Sequence, residues 1–167
     1  MPVRLVCLLV IVFAGCRGAV DHDVDGFAAA GITVKQNSAG EIFRVDTAGS
    51  VLDEHFWNNI SNCEHLEQLA MTGSLVTDAD LPQLTSLHTL RSLDLSYTRI
   101  TSSGLSVLSR MEDLQTLSLN GVSLDEMAIE SLCQLTRLQS LSLMECGLSA
   151  EETVKLQNAL PACLVVH

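Results

Sequence analysis

The chain has 167 residues, a net charge of −11 and a mean hydropathy of +0.31. One domain with a sizeable core is expected at this length, and because only 4% of the residues are aromatic, that core must be aliphatic. Nine basic against 20 acidic residues leave no basic stripe for phosphates, which argues against nucleic-acid binding and polybasic membrane docking.

The N-terminus has the pattern of an export signal. Arg4 supplies a positive charge, residues 5–14 are an unbroken apolar run, and a small residue follows. A membrane-spanning helix needs about 20 apolar residues, so this run is too short to be one. We therefore expect residues 1–15 to be a signal peptide that takes no part in the fold.

Residues 13–16, Phe-Ala-Gly-Cys, resemble the lipobox of bacterial lipoproteins. The resemblance implies that Cys16 is acylated and becomes the mature first residue, so that acyl chains anchor an extracytoplasmic protein to a membrane. Phe13 stands where a leucine is usual. An unlipidated cysteine in a conventional signal, giving a secreted or periplasmic protein, is the alternative.

An acidic linker and a short helix over residues 26–30 are expected within residues 16–31. Residues 21–26 match the opening of a calcium loop, with oxygen-bearing side chains at alternate places and glycine at the sixth. The twelfth place, which should hold a bidentate acid, is Ile32, and the ninth is Ala29. The segment is therefore interpreted as a solvated linker, and we expect no bound metal or cofactor.

Residues 32–45 are predicted to form a hairpin that caps the N-terminal end of the fold. Two segments rich in β-branched and aromatic residues, 32–34 and 41–45, flank Asn37 and Gly40, and these two residue types favour tight turns.

An internal repeat of 24 residues follows. Leu69, Leu93, Leu117 and Leu141 are evenly spaced, and four further columns of mostly apolar residues align at the same period, which gives five repeats over residues 42–161. Within a repeat, apolar and polar residues first alternate, as in a short half-buried strand, and then recur every three positions, as in a helix.

Each repeat also carries a residue type that caps helices, between the strand pattern and the helix pattern. The column contains Asp53, Thr77, Thr101, Asp125 and Ser149. Glu152 and Asp80 follow two of these residues at capping-box spacing. The column predicts that a helix begins at the same place in every repeat.

The segments Leu-x-x-Leu-x-Leu-x-x-Thr-x-Ile from Leu90 and Leu-x-x-Leu-x-Leu-x-x-Val-x-Leu from Leu114 resemble leucine-rich repeats. Their length and their helical half are similar to the ribonuclease-inhibitor-like and F-box-associated types. The resemblance implies an α/β fold, a short right-handed leucine-rich-repeat horseshoe whose coils stack on one another. In the family, an Asn or Cys hydrogen-bonds the backbone of neighbouring coils. Val122 stands at that position in the fourth repeat, so we expect the ladder to be weakest there.

The C-terminal residues 162–167 are predicted to add a half-repeat strand, whose open edge is a candidate contact for a weak homodimer. Four cysteines follow the signal. Cys63 and Cys146 fall in buried columns, whereas Cys133 and Cys163 could form a disulfide, although nothing in the repeat register brings them together. No sequence pattern typical of a catalytic or a metal-binding site is found, and we expect that the protein is not an enzyme.

The concave sheet remains as the candidate binding surface, because solenoids use this face for ligands. Most of its outward positions hold small hydroxyl residues, while binding hot spots favour Trp, Tyr and Arg. A partner-binding patch is therefore centred on the following set: Tyr97, Asp94, Asn120, Met144 and Glu145. A solvated sheet with no partner is the alternative.

Three functions are open at this stage. The leading one is a non-enzymatic, extracytoplasmic protein-binding module whose partner is unknown. The second is a structural envelope protein that self-assembles through the open ends of the solenoid. The third follows from the resemblance to F-box-associated repeats, namely a substrate-recognition subunit, with which an export signal conflicts.

Overall fold

The computed structural model describes Phe27, residues 31–47 and residues 49–167. The predicted signal, Cys16 and the calcium-like segment 21–26 lie outside these residues. The strands of the described part are β1 (Thr33–Gln36), β2 (Ile42–Asp46), β3 (Gln68–Ala70), β4 (Ser92–Asp94), β5 (Thr116–Ser118), β6 (Ser140–Ser142) and β7 (Leu164–Val166). Its helices of four or more residues are α1 (Glu54–Ile60), α2 (Leu81–Leu84), α3 (Ser102–Leu108), α4 (Glu126–Leu132) and α5 (Ala150–Ala159).

The strands form one sheet in chain order, from β1 to β7. From β2 onward neighbouring strands are parallel, and each residue pairs with the residue 24 positions later, as Leu69 does with Leu93. Each coil thus carries a strand on one side and a helix on the other. The predicted fold class, an α/β leucine-rich-repeat solenoid, is confirmed.

The predicted N-terminal hairpin forms from β1 and β2, which pair antiparallel. Asn37 closes its turn, because its side-chain oxygen accepts from the backbone N–H groups of Ala39 and Glu41 at 2.9 and 3.0 Å. Gly40 has a φ of +81°, which glycine adopts without strain. Of the short helix predicted over residues 26–30, only Phe27 is described, and it is helical and buried.

The core consists of stacked aliphatic columns. Leu69, Leu93, Leu117 and Leu141 are each at most 1% exposed, as expected for residues that occupy the same slot in successive coils. An aromatic cluster lies at the N-terminal end, where the Phe27 and Phe56 rings meet edge to face with centroids 6.0 Å apart.

Three of the predicted helix caps form as expected. The side chains of Asp53, Asp125 and Ser149 accept from backbone N–H groups in the first turns of α1, α4 and α5. At Ser149 the full capping box is present, since the carboxylate of Glu152 accepts from the Ser149 backbone at 2.8 Å. The Ser149 hydroxyl also donates to this carboxylate, at 2.7 Å, and these two bonds to the carboxylate, the one from the hydroxyl above all, hold the pKa of Glu152 below its ordinary value.

The prediction of one fixed helix start is wrong in the second repeat. There α2 begins at Leu81, after Asp80, instead of after Thr77. Pro82 is the physical reason: it fits the first turn of a helix that starts at Leu81, but it would break the interior of a helix that started at Thr77. Asp80 closes the preceding turn by accepting from the Thr77 backbone N–H and hydroxyl at 2.8 and 2.9 Å.

The third helix is capped from the neighbouring coil. Thr101 occupies the predicted N-cap, but its side chain does not cap α3. Instead the Thr101 backbone N–H and hydroxyl donate to Asp78 of the preceding coil at 2.8 and 2.6 Å, and the Ser103 hydroxyl donates to it at 3.0 Å. Burial raises the pKa of Asp78, but these hydrogen bonds more than offset that effect and leave it below its ordinary value.

The expected weak point at Val122 stays a prediction, but the structure shows that the next coil supplies a side-chain donor there. The Leu119 carbonyl of that coil accepts the Val122 backbone N–H at 3.1 Å and the thiol of Cys146, from the next coil, at 3.1 Å. In the coils before it, the hydroxyls of Ser74 and Thr98 bond to carbonyls of their own loops rather than to neighbouring coils. Cys146 therefore supplies the donor that Val122 lacks.

Cys133 and Cys163 are free thiols, so no disulfide joins them in this structure. Cys63 and Cys146 are buried, as predicted from their columns. Burial raises the pKa of the Cys133 and Cys163 thiols, which keeps them protonated at neutral pH.

Candidate partner-binding surface

The residue three positions after the end of each of the strands β2 to β6 has left-handed backbone. Its φ values are +77° at Gly49, +67° at Gly73, +55° at Tyr97, +71° at Gly121 and +61° at Glu145. Glycine adopts this conformation freely, whereas other residue types pay about 1 kcal/mol or more. Tyr97 and Glu145 are the two non-glycine residues with a positive φ in the described part of the chain.

The solenoid itself imposes this backbone conformation. The N–H groups of Gly73, Tyr97 and Gly121 each donate to a carbonyl of the next coil, at 2.9, 2.8 and 2.8 Å. These bonds continue the ladder beyond the strands while the chain turns toward the helices. A residue other than glycine at this position is therefore held in a strained backbone conformation by its neighbours. Such strain indicates that the side chain has a role that glycine could not fill.

The ring of Tyr97 lies over Gly121 in the next coil. A methyl group at Gly121 would come within 2.5 Å of the ring Cδ1 and 2.7 Å of Cε1, so the space that the missing side chain leaves is occupied by the ring. Tyr97 is still 52% exposed. The ring is thus in contact with Gly121 and is still accessible to solvent.

Tyr97 also interacts with Glu145, two coils along the same column. The negative charge of Glu145 raises the pKa of Tyr97 above its ordinary value, with smaller contributions from desolvation and from a hydrogen bond to the same carboxylate. The two strained residues therefore form a pair that spans Gly121. We call Tyr97 and Glu145 the tyrosine–glutamate pair.

Asn120 organises the loop that carries the glutamate of this pair. Its side-chain oxygen accepts from the hydroxyl of Ser142 at 2.7 Å and from the backbone N–H of Met144 at 2.9 Å. Its backbone N–H donates to the hydroxyl of Ser96 at 3.2 Å. Asn120, placed in the patch from sequence as a contact residue, is thus engaged within the solenoid through its oxygen.

Asp94, the fifth residue predicted for the patch, is half-buried and accepts from the backbone N–H of Ser96 at 2.9 Å. Met144 is 49% exposed beside the tyrosine–glutamate pair. The structure brings Tyr97 and Glu145 together and links Asn120 to Met144. The left-handed column was missed from sequence, although the glycines at 49, 73 and 121 were the available signal.

Exposed aliphatic side chains extend this surface toward the C-terminal coil. Leu164 is 66% and Val166 40% exposed, and the register places them beside Ser140 and Ser142 on the outward face of the sheet. Met144 follows Ser142 by two residues. The predicted patch and the predicted adhesive edge therefore lie on neighbouring coils of one surface.

The opposite face has a groove of about 330 Å³ between α4 and α5. Carboxylates dominate its lining, and Lys155 lies 3.8 Å from Glu126 and 3.4 Å from Glu130. Within the described residues, no group of His, Cys, Asp or Glu side chains is arranged to hold a metal ion. Among the helices described, none is long and apolar enough to cross a membrane.

The comparisons with known proteins agree with the fold. Residues 86–109 match the leucine-rich repeat family. No curated protein sequence matches the chain significantly.

Solved structures resemble it at low sequence identity. A leucine-rich repeat protein of Leptospira interrogans matches 65% of this chain with 21% identity and a TM-score of 0.50, and the match spans 27% of that protein. The actin-binding site 2 of leiomodin-1 matches 72% of this chain and 79% of its own length, with 17% identity and a TM-score of 0.57. The tropomodulin C-terminal domain of Caenorhabditis elegans matches 65% of this chain and 72% of its own, with 15% identity and a TM-score of 0.53. These likenesses support a leucine-rich repeat solenoid.

Proposed function

We propose that this protein is a non-enzymatic binding module that recognises a protein partner through its concave sheet face, with the tyrosine–glutamate pair at the centre. Leucine-rich repeats are in general protein-interaction scaffolds, which favours this class of function. The observation that carries the proposal is the pair itself. Two side chains occupy strained backbone positions where glycine stands in the other coils, and both are exposed.

The composition of the surface supports the same centre. Tyrosine is enriched in binding hot spots because it combines a large apolar ring with a polar tip. Tyr97 is the single tyrosine of the chain, and it lies on an otherwise small, hydroxyl-rich face. Met144 adds an adaptable apolar contact next to it.

The test is capture of partners by the tagged, full-length protein in its native envelope. Tyr97→Gly is the most informative variant, because it removes the ring while relieving the backbone strain, which limits the loss of stability. Asp94→Arg reverses a charge on the same face. Met127→Ala, at a 74% exposed position on α4, is the matched control. Unchanged capture by both concave-face variants would contradict the proposal.

We further propose that the module is held at a membrane outside the cytoplasm through an acylated Cys16. The support is the sequence of residues 13–16 and the preceding apolar run. Wild-type protein is expected in the membrane fraction and Cys16→Ala in the soluble envelope fraction. Equal partition of the two would favour release after conventional cleavage.

A second candidate function is self-assembly through the C-terminal end. Its support is β7, which pairs with β6 on one side and carries the exposed Leu164 and Val166. Sedimentation of the Cys16→Ala protein over a range of concentrations tests this candidate. Self-association that Val166→Lys abolishes would support it, and a monomer at the highest concentration would contradict it.

A further inference from the structure

The tyrosine–glutamate pair has the chemistry of a receptor for a cation. Taking the proposed binding function as its basis, we propose that the pair receives an arginine side chain of the partner, with the guanidinium group against the ring of Tyr97 and bonded to the carboxylate of Glu145. This inference concerns the chemical class of the partner, which the proposed function leaves open.

The geometry fits such a group. The ring contacts Gly121 on one side, and more than half of Tyr97 is exposed. An ionised carboxylate offers about four acceptor positions, so the exposed carboxylate of Glu145 can accept hydrogen bonds from a ligand. Aromatic rings attract cations above their faces, and arginine is the cationic side chain that is found there most often.

Charge on the face favours the same occupant. Neither Glu145 nor Asp94 forms an ion pair within the described part of the chain. Arg44, at the opposite end of the face, lies near Asp46 and Gln68, at 4.0 and 3.3 Å. The predicted patch therefore carries two carboxylates that have no ionic partner in the described part of the chain. A second copy of this chain, with its own net charge of −11, is a poorer occupant than a cationic segment.

Arginine is favoured over lysine by the shape of the site. The planar guanidinium can stack on a ring and donate two parallel hydrogen bonds to one carboxylate, whereas the lysine ammonium is a compact, strongly hydrated point charge. Met144, the residue before Glu145, is 49% exposed and would provide an apolar surface for the methylene groups of the arginine.

The experiment uses the full chain and two short peptides that differ in one chemical group. One peptide alternates glycine and arginine, and its partner replaces each arginine by the neutral, nearly isosteric citrulline. Because the chain has a single tyrosine, the NMR signals of ring-labelled tyrosine report on Tyr97 alone. The arginine peptide is expected to shift these signals saturably and to bind at least about threefold more tightly than the citrulline peptide.

Glu145→Gln is expected to weaken binding of the arginine peptide about threefold. Glu112→Gln makes the same charge change at an exposed loop residue and should leave the affinity unchanged. Tyr97→Phe keeps the ring and should retain arginine binding, as read from ring-labelled phenylalanine. Equal shifts with arginine and citrulline, or equal effects of the two glutamate variants, would overturn the inference. If partner capture still depends on Tyr97 in that case, only the cationic ligand is refuted and the binding function stands.

Discussion

The contact between the ring of Tyr97 and Gly121 can be tested with two alanine variants that share the same backbone strain. Gly73→Ala and Gly121→Ala both place a side chain at a φ near +70°, which costs about 1 to 2 kcal/mol. At Gly73 nothing lies within 4 Å of the new methyl group, so strain is the whole cost. At Gly121 the methyl group would lie 2.5 Å from the ring, which must move.

Overpacking of this kind costs about 1 to 3 kcal/mol. Because Tyr97 is half-exposed and its ring can swing outward, we expect the lower end, so Gly121→Ala should be about 1 kcal/mol less stable than Gly73→Ala. Urea unfolding followed by circular dichroism measures the difference. In a Tyr97→Gly background the two alanine variants should become equally stable, because the ring is gone. Equal stability of the two variants in the wild-type background would refute the packing of the ring on Gly121.

The same displacement should be visible in the titration of the single tyrosine. Glu145 raises the pKa of Tyr97, so moving the ring away from the carboxylate in Gly121→Ala should lower that pKa toward its ordinary value near 10. Glu145→Gln removes the charge directly and should lower it as well, whereas Gly73→Ala should leave it unchanged. Ultraviolet absorbance titration measures all three. An unchanged pKa in Glu145→Gln would show that the pair does not form in solution.

Three further changes test the framework around the surface by thermal or urea unfolding. Gly104→Ala, inside α3, should destabilise the protein, because the new methyl group would collide with the carboxylate of Asp78. Replacing glycine by alanine usually stabilises a helix by about 1 kcal/mol, so a gain in stability would contradict that contact. Ser149→Ala should cost about 1 kcal/mol at neutral pH. Hydrogen bonding lowers the pKa of Glu152, so the stability that its carboxylate contributes is present above its ordinary pKa of 4.5 and is lost as the pH falls through the lower folded-state value. The loss of stability in Ser149→Ala should therefore become smaller at that low pH. A loss that stays constant with pH would contradict this reasoning. Cys146→Ala should cost about 1 kcal/mol or more, and Cys146→Ser should cost less because it keeps a donor, with the reverse order counting against the thiol hydrogen bond.

The repeat period accounts for most of what could be predicted about the fold. A register of 24 residues fixes which strands pair and which leucines share a slot, because each coil must match the coil before it. Alternation and cap residues then separate the strand from the helix within a coil. The pairing of Leu69 with Leu93 and of Leu117 with Leu141 follows from spacing alone.

Departures from the prediction arise where one coil depends on another. The late start of α2 was in principle available from Pro82, since proline excludes a longer helix. The capping of α3 by Asp78 could not be foreseen, because that carboxylate comes from the preceding coil, 23 residues before the residue that it binds. The thiol that replaces the missing donor at Val122 likewise comes from the next coil.

The candidate site was predicted by residue type and is now described by backbone conformation. Tyr97 and Glu145 are predicted from their side chains and share a column with three glycines, but the sequence pattern did not predict the left-handed backbone of that column or the contact of the ring with Gly121. Asn120 was selected as a contact, yet its oxygen holds the loop of Met144 in place. Such roles depend on distances across coils, which a single sequence does not encode directly.

Site-specific photo-crosslinking tests the concave binding face most directly. A photoreactive p-benzoylphenylalanine is placed at Met144, beside the tyrosine–glutamate pair, or at Met127 on α4, since both methionines are exposed but on opposite faces. Irradiation of the full-length protein in its native envelope should give a discrete protein adduct from position 144, which Tyr97→Gly abolishes, and no such adduct from position 127. The same adducts from both positions, or an adduct from position 127 alone, would contradict the concave face as the binding surface.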